Sequence, residues 1–295
     1  MAESQAGSTV PRRQLGRYLR ELRGAAGLTA RTAARELERS EPTLWRVETG
    51  QTSVRSLDVE QMCRLYGAPD DLTKVLMALA KETKARGWWQ AYGDAVPEWF
   101  DLYIGLEAAA TRISWYEPEL VPGLFQTAEY ASALIRAHLP DESDVEIERR
   151  VELRIGRQAI LRRPVDPPLL KVALRETILR CSVGAPGVMA AQLRRLVEAS
   201  ELPNVTICVV PFSAGLNSGM LTGSFEILRF PPNGGGQDSE PPTVFSDLFT
   251  GALYLDKPNE VARYDRAFGE IWDAALDPEA SRALLRQAAE ALGNG

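Results

Sequence analysis

Residues 27 to 67 are punctuated by Gly27, by the cap-and-proline pair Ser40 and Pro42, and by Gly50 and Gly67, so that each segment between them has room only for a short helix. Short helices are marginal in water on their own. This stretch must therefore fold as a bundle in which the helices bury one another's apolar faces. Ahead of Gly27, "RRQLGRYLRELRGAAG" carries Leu15, Tyr18, Leu19 and Leu22 on one helical face, and Gly27 is placed to end that helix. Thr29 is set to cap a second helix, "ARTAARELE", whose Ala33 and Ala34 permit close packing. Ser40 is a natural cap for a third, "EPTLWRVE", with Pro42 in the first turn, where a missing N–H costs little. Leu44 and Val47 form its apolar pair, so Thr43, Trp45 and Arg46 point outward. "SLDVEQMCRLYG" gives a fourth helix with Ser56 as cap, Leu57 or Val59 inward with Met62 and Leu65, and Gly67 as its stop. "PDDLTKVLMALAKETKAR" gives a fifth.

Two short helices joined by a tight turn, the second facing outward, describe a helix-turn-helix. Whether such a helix enters a DNA groove depends on charge. The chain carries a net charge of −6, but unevenly. Residues 1–56 hold ten Arg and six Glu, a balance of +4, and the other 239 residues hold 24 Lys/Arg and 34 Asp/Glu, a balance of −10. A basic head on an acidic body is the asymmetry expected if only the head touches phosphate.

The segment "LGRYLRELRGAAGLTARTAARELERSEPTLWRVETGQ" resembles the repressor-type helix-turn-helix of the xenobiotic-response-element family. The likeness rests on "LR…AGLT", on Ala34 at the helix crossing, on the Ser40 cap and on the closing "L-x-R-V-E-x-G". It implies a structural ion pair between Arg23 and Glu48. It also implies base-reading positions at Glu41, Pro42, Thr43 and Arg46. The chemistry suits them: Arg46 can take guanine N7 and O6, Glu41 can accept from cytosine N4, and Thr43 can meet a thymine methyl or a phosphate. Ser40, Trp45, Thr29, Arg31 and Arg55 complete the expected DNA-binding set. Trp45 is placed either along the sugar-phosphate backbone or in packing against the body domain. Two positions depart from the family pattern: Ala30 stands where a phosphate-holding Gln is usual, and Glu38 where the turn usually has Gly.

Beyond Gly87 the pattern changes. "RISWYE", "LLKVAL", "VTICVVP", "SFEILRF", "TVFSDL" and "ALYLD" read as strands, and five longer amphipathic runs read as helices. "PPNGGGQDSEPP" reads as a flexible loop. The fold class expected is therefore multi-domain: an all-α helix-turn-helix domain followed by an α+β domain. The divisions expected are a flexible arm over residues 1–13, the helix-turn-helix domain over 14–86, and a sensor, dimerisation or partner-binding domain over 87–292. "ISWYEPELVPGLFQTAEYA" and later segments such as "LRETILR", "PNVTICVVPF" and "GALYLDKPNEVARY" resemble a group of actinobacterial antitoxin-like regulators. That resemblance implies a cytoplasmic transcriptional regulator, paired with a small protein encoded nearby.

Within this body Leu124 and Tyr130 read as core, whereas Phe125, Gln126, Trp115 and Tyr116 are the candidates for a face that meets a ligand or partner. Catalytic chemistry has little support. The single histidine, His138, sits at a helix end as a dipole partner. No nucleophile elbow, phosphate loop or zinc-protease motif occurs. Glu176 and Asp247 are the one possible carboxylate pair, and surface charge is the simpler reading of them. No catalytic residue, cofactor or metal is expected. Three widely spaced cysteines without a CxxC motif indicate reduced thiols. There is no apolar run long enough to span a membrane and no secretory signal. The partners expected are a double-stranded DNA operator, a second copy of the chain, a small partner protein and a small-molecule effector.

Overall fold

A computed structural model describes residues 10–50, 52–82, 98–164, 166–185, 187–231, 240–249 and 251–293. Contacts divide the chain into two units, Met1–Ala109 and Ala110–Gly295. Residues 1–9 of the expected arm, the aromatic-rich stretch 87–97 and residues 232–239 of the glycine-rich loop lie outside the described residues.

The first unit contains α1 (Val10–Ala25), α2 (Ala30–Glu36), α3 (Glu41–Glu48), α4 (Ser56–Tyr66), α5 (Asp70–Glu82) and α6 (Glu98–Ala109). The expected punctuation holds: Gly27, Gly50 and Gly67 all take positive φ near +70°. Thr29 Oγ1 accepts the Thr32 N–H at 3.1 Å, and Ser40 Oγ accepts the Thr43 N–H at 3.2 Å. Three expectations need correction. The helix starts at Val10 and Arg12 is buried, so residues 10–13 are not an arm. Ser56 does not cap α4; Arg55 occupies the cap position without a side-chain bond, while the Ser56 hydroxyl donates to the Met77 carbonyl of α5 at 3.2 Å. A partner on the neighbouring helix has taken the hydroxyl that the cap would have used. Of the alternatives Leu57 and Val59, Val59 faces inward, and Leu57 is exposed. Contacts also group α6 with the head, whereas the composition change falls at Gly87.

The core of this unit gathers Leu15, Leu19, Ala33, Ala34, Leu44 and Val47 with Val59, Met62 and Cys63. Gly16 brings α1 against the end of α3: a Cβ there would lie 2.5 Å from the Val47 carbonyl oxygen and 2.7 Å from that of Glu48. Helix α3 is thus held by backbone contact as well as by its apolar pair.

The second unit is built on β1 (Arg112–Glu117), β2 (Leu169–Arg175), β3 (Val205–Val210), β4 (Phe225–Arg229), β5 (Thr243–Leu248) and β6 (Gly251–Leu255). All six segments read as strands are strands. They form one sheet in the order β3-β2-β1-β4-β5-β6, with β1, β2 and β3 parallel and the β1–β4, β4–β5 and β5–β6 pairs antiparallel. The helices are α7 (Ala128–His138), α8 (Asp144–Arg157), α9 (Val188–Ala199), α10 (Gly219–Thr222), α11 (Pro258–Asp273) and α12 (Pro278–Gly293). On one face, Tyr116, Phe225, Ile227 and Val244 pack with Val261, Phe268 and Ile271 of α11. Strand β3 would be a bare edge, but Val209 donates to Ser281 Oγ of α12 at 2.8 Å and accepts from the Leu276 N–H at 2.9 Å. The fold class is the one the sequence pattern indicates, an all-helical head and a body of helices on a mixed sheet.

Candidate nucleic-acid interface

The turn between α2 and α3 places Glu38 at φ +52°, a left-handed conformation. It aims α3 out from the bundle. Leu44, Val47 and Glu48 are buried, Glu41, Pro42 and Trp45 are exposed, and Thr43 and Arg46 are half-buried. The expected reading positions therefore share one outward surface on α3. Trp45 is 54% exposed and takes no part in the core of the head.

The implied pair of Arg23 and Glu48 is present and bidentate, with Nε to Oε1 at 2.6 Å and Nη2 to Oε2 at 2.8 Å. A further Arg23 nitrogen donates to the Leu28 carbonyl at 2.8 Å. This pair lies beneath α3 and fixes its carboxyl end against the end of α1. It is structural and leaves the exposed surface to other residues.

Around the reading surface, polar groups already engage one another. Ser40 Oγ lies 2.8 Å from Thr43 Oγ1, so both hydroxyls hold the start of α3. Arg31 Nε donates to Glu41 Oε1 at 2.8 Å, bridging the amino ends of α2 and α3, and this hydrogen bond raises the Arg31 pKa. Both partners are exposed, and exposed pairs contribute little, so the pair gives way readily to a stronger partner of either side chain. Thr29 and Arg55 are exposed cap residues of α2 and α4. Arg39, outside the expected set, pairs with Asp58 at 2.8 Å. Such pairs depend on how helices meet, and no local pattern announces them.

The face expected on the body does not exist as such. Trp115, Tyr116, Phe125 and Gln126 are each at most 4% exposed. Trp115 and Tyr116 are adjacent on β1, and alternation sends them to opposite faces of the sheet. Leu124 and Tyr130 are core, as expected. Gln126 is the hub of a clamp on its own loop. Its Nε2 donates to the Val121 carbonyl at 2.7 Å, and its Oε1 accepts from Arg154 at 3.0 Å. Gln192 of α9 donates to the Phe125 carbonyl and accepts the Thr127 N–H, both at 2.7 Å. Tyr130 accepts the Val121 N–H at 3.2 Å, and Gln158 donates to the Gln126 carbonyl at 2.6 Å. The segment "VPGLFQT" is thus a joint between helices and sheet, locked by buried amides.

The candidate carboxylate pair is also undone. Glu176 follows β2, where it accepts the Phe212 N–H at 2.9 Å and pairs with Arg180 at 3.1 Å. Asp247 lies on β5, three strands away in the sheet order, a separation of roughly 14 Å at normal strand spacing. His138 ends α7 and meets the Phe249 ring edge-on at 5.5 Å. A different acid stands out. Glu117, at the end of β1, is pushed up to about 7, first by burial, although Ser224 and Trp115 donate to its Oε1 at 2.8 and 3.1 Å. No sequence pattern marked it, because its surroundings come from β4 and β5. No cluster of metal-ligating side chains occurs among the described residues, and none of the described helices is long and apolar enough to cross a membrane.

Residues 14–76 match a family described as "Helix-turn-helix domain". Residues 100–287 match the family described as "Domain of unknown function (DUF5753)". No curated protein and no solved structure matches the chain.

Proposed function

The chain belongs to the DUF5753 family, and we propose that it is a sequence-specific transcriptional regulator that binds double-stranded DNA through α3. The observation that carries this reading is the recognition helix itself: eight residues, fixed from below by Gly16, Leu44, Val47 and the Arg23–Glu48 pair, with Arg46 on its outward side. Arg46 reads guanine, and Glu41, once released from Arg31, accepts from cytosine or excludes other bases. A single short helix makes too few contacts to select one site in a genome, so the regulator acts as a homodimer on two half-sites. The body supplies dimerisation and receives a small partner protein or an effector, in the manner of an antitoxin-like regulator, and it performs no catalysis. The protein works in the cytoplasm.

The test is selection of a binding site from random duplexes by the full chain, followed by fluorescence anisotropy at fixed salt. Arg46→Ala should weaken specific binding by about 1–3 kcal/mol without lowering the melting temperature. Unchanged affinity removes Arg46 from the reading set. A second reading follows from the exposure of Trp45, a large apolar side chain in the middle of α3: a helix that docks on protein and reads no DNA. Failure of the full chain to select any duplex favours that adaptor role.

A further inference from the structure

The body carries an open groove of about 640 Å³ between α7, α8 and the start of α9. Its floor is made of small residues, among them Ala128, Ser132 and Ala133 of α7. Gly184 closes one side: at φ +72° it lies so near α7 that a Cβ would stand 3.2 Å from that of Ala133. The rim is acidic. Glu129, Glu148 and Glu152 line the groove, all three are exposed, and none takes part in an ion pair or hydrogen bond with another described residue. The one basic lining residue, Arg136, is already paired with Asp144 at 2.7 Å.

We propose that this groove is the docking site for a cationic amphipathic helix of a protein partner. Three features select that occupant. Small residues on the floor let another helix come close, as the separation of packed helices depends on the side chains between them. The groove is open along its length and does not enclose a ligand, whereas small-molecule sites bury most of their ligand. Three unpaired carboxylates on the rim complement Lys or Arg flanking the apolar stripe of such a helix, which is the helix-in-groove mode of recognition. The inference rests on the partner-binding part of the function proposed above, and not on DNA reading.

The test uses the full chain and two fluorescein-labelled synthetic helices with the same Leu/Ala face, one carrying Lys and the other Glu on the opposite face. At about 0.15 M salt, where weak long-range attraction is screened, the Lys helix should bind and the Glu helix should not. Glu148→Lys/Glu152→Lys should weaken the Lys helix by about tenfold or more, since two facing charges are reversed. Ala128→Trp, at an exposed floor position, should do the same by filling the groove without altering charge. Glu201→Lys/Glu290→Lys makes the same change in net charge on exposed residues in the turn after α9 and on α12, and should leave affinity within about twofold. The proposal is overturned if this distant pair weakens binding as much as the groove pair, if the Glu helix binds equally well, or if the Lys helix does not bind. Operator binding, measured separately, distinguishes failure of this site from failure of the regulatory reading: Arg46→Ala should leave the peptide result unchanged.

Discussion

Arg23 and Glu48 expose only 14% and 6% of their side chains. Removing one partner of a pair this buried leaves the other charge without compensation, at a cost of about 3–5 kcal/mol. Glu48→Ala should therefore lower the stability of the head by about that amount in chemical denaturation followed by circular dichroism; a change below about 1 kcal/mol would mean that water reaches the guanidinium. Glu117 yields a pH dependence. Its folded-state pKa of about 7 stands above the ordinary value of 4.5, so the folded protein holds this proton more tightly than the unfolded chain. The stability it supports is full below about pH 4.5 and is lost as the pH rises through about 7, a difference of roughly 3 kcal/mol. Glu117→Gln keeps an oxygen for Ser224 and Trp115 and removes the charge. It should raise the melting temperature of the body at pH 8 and leave it nearly unchanged at pH 5. An equal rise at both would assign the effect to packing. The two acids differ in legibility. Glu48 was legible because the resemblance to the xenobiotic-response-element helix-turn-helix implied its pairing with Arg23, 25 residues away, whereas the surroundings of Glu117 are assembled from three strands far apart in sequence.

The turn that presents α3 carries its own strain. Glu38 sits at φ +52°, where a non-glycine residue costs about 1–2 kcal/mol, partly offset because glycine would leave a more flexible unfolded chain. Glu38→Gly should stabilise the head by about 0.5–1 kcal/mol, read as a higher denaturation midpoint. No gain would show that the side chain repays the strain locally. That turn, the caps at Thr29 and Ser40 and the six strands were visible in the sequence because each rests on contacts within a few residues or on a two-residue alternation. What escaped needed tertiary packing. Ser56 lost its cap role to a carbonyl on α5, and Phe125 and Gln126 look like an exposed turn until α8 and α9 close over them. The groove on α7 was equally hidden, since its walls are separated by some fifty residues of chain.

Over the whole molecule the charge is divided, +4 in residues 1–56 against −10 in the remainder. Salt decides how far each part is felt. The Debye length is about 8 Å at 0.15 M and about 30 Å at 0.01 M. Binding of the full chain to random duplex should fall with added salt, with a log–log slope of about −0.9 per phosphate neutralised. At low salt the line should flatten as repulsion from the acidic body reaches the DNA. A straight line down to about 0.01 M would mean that the body's charge does not oppose binding. The clamp around "VPGLFQT" has a consequence of another kind. The Val121 and Thr127 amides belong to a loop, yet their hydrogens are held by Tyr130 of α7 and Gln192 of α9. In deuterated solvent they can exchange only when those helices part. Two loop positions should therefore keep their protons as long as the central strands do, and release them in the same cooperative opening.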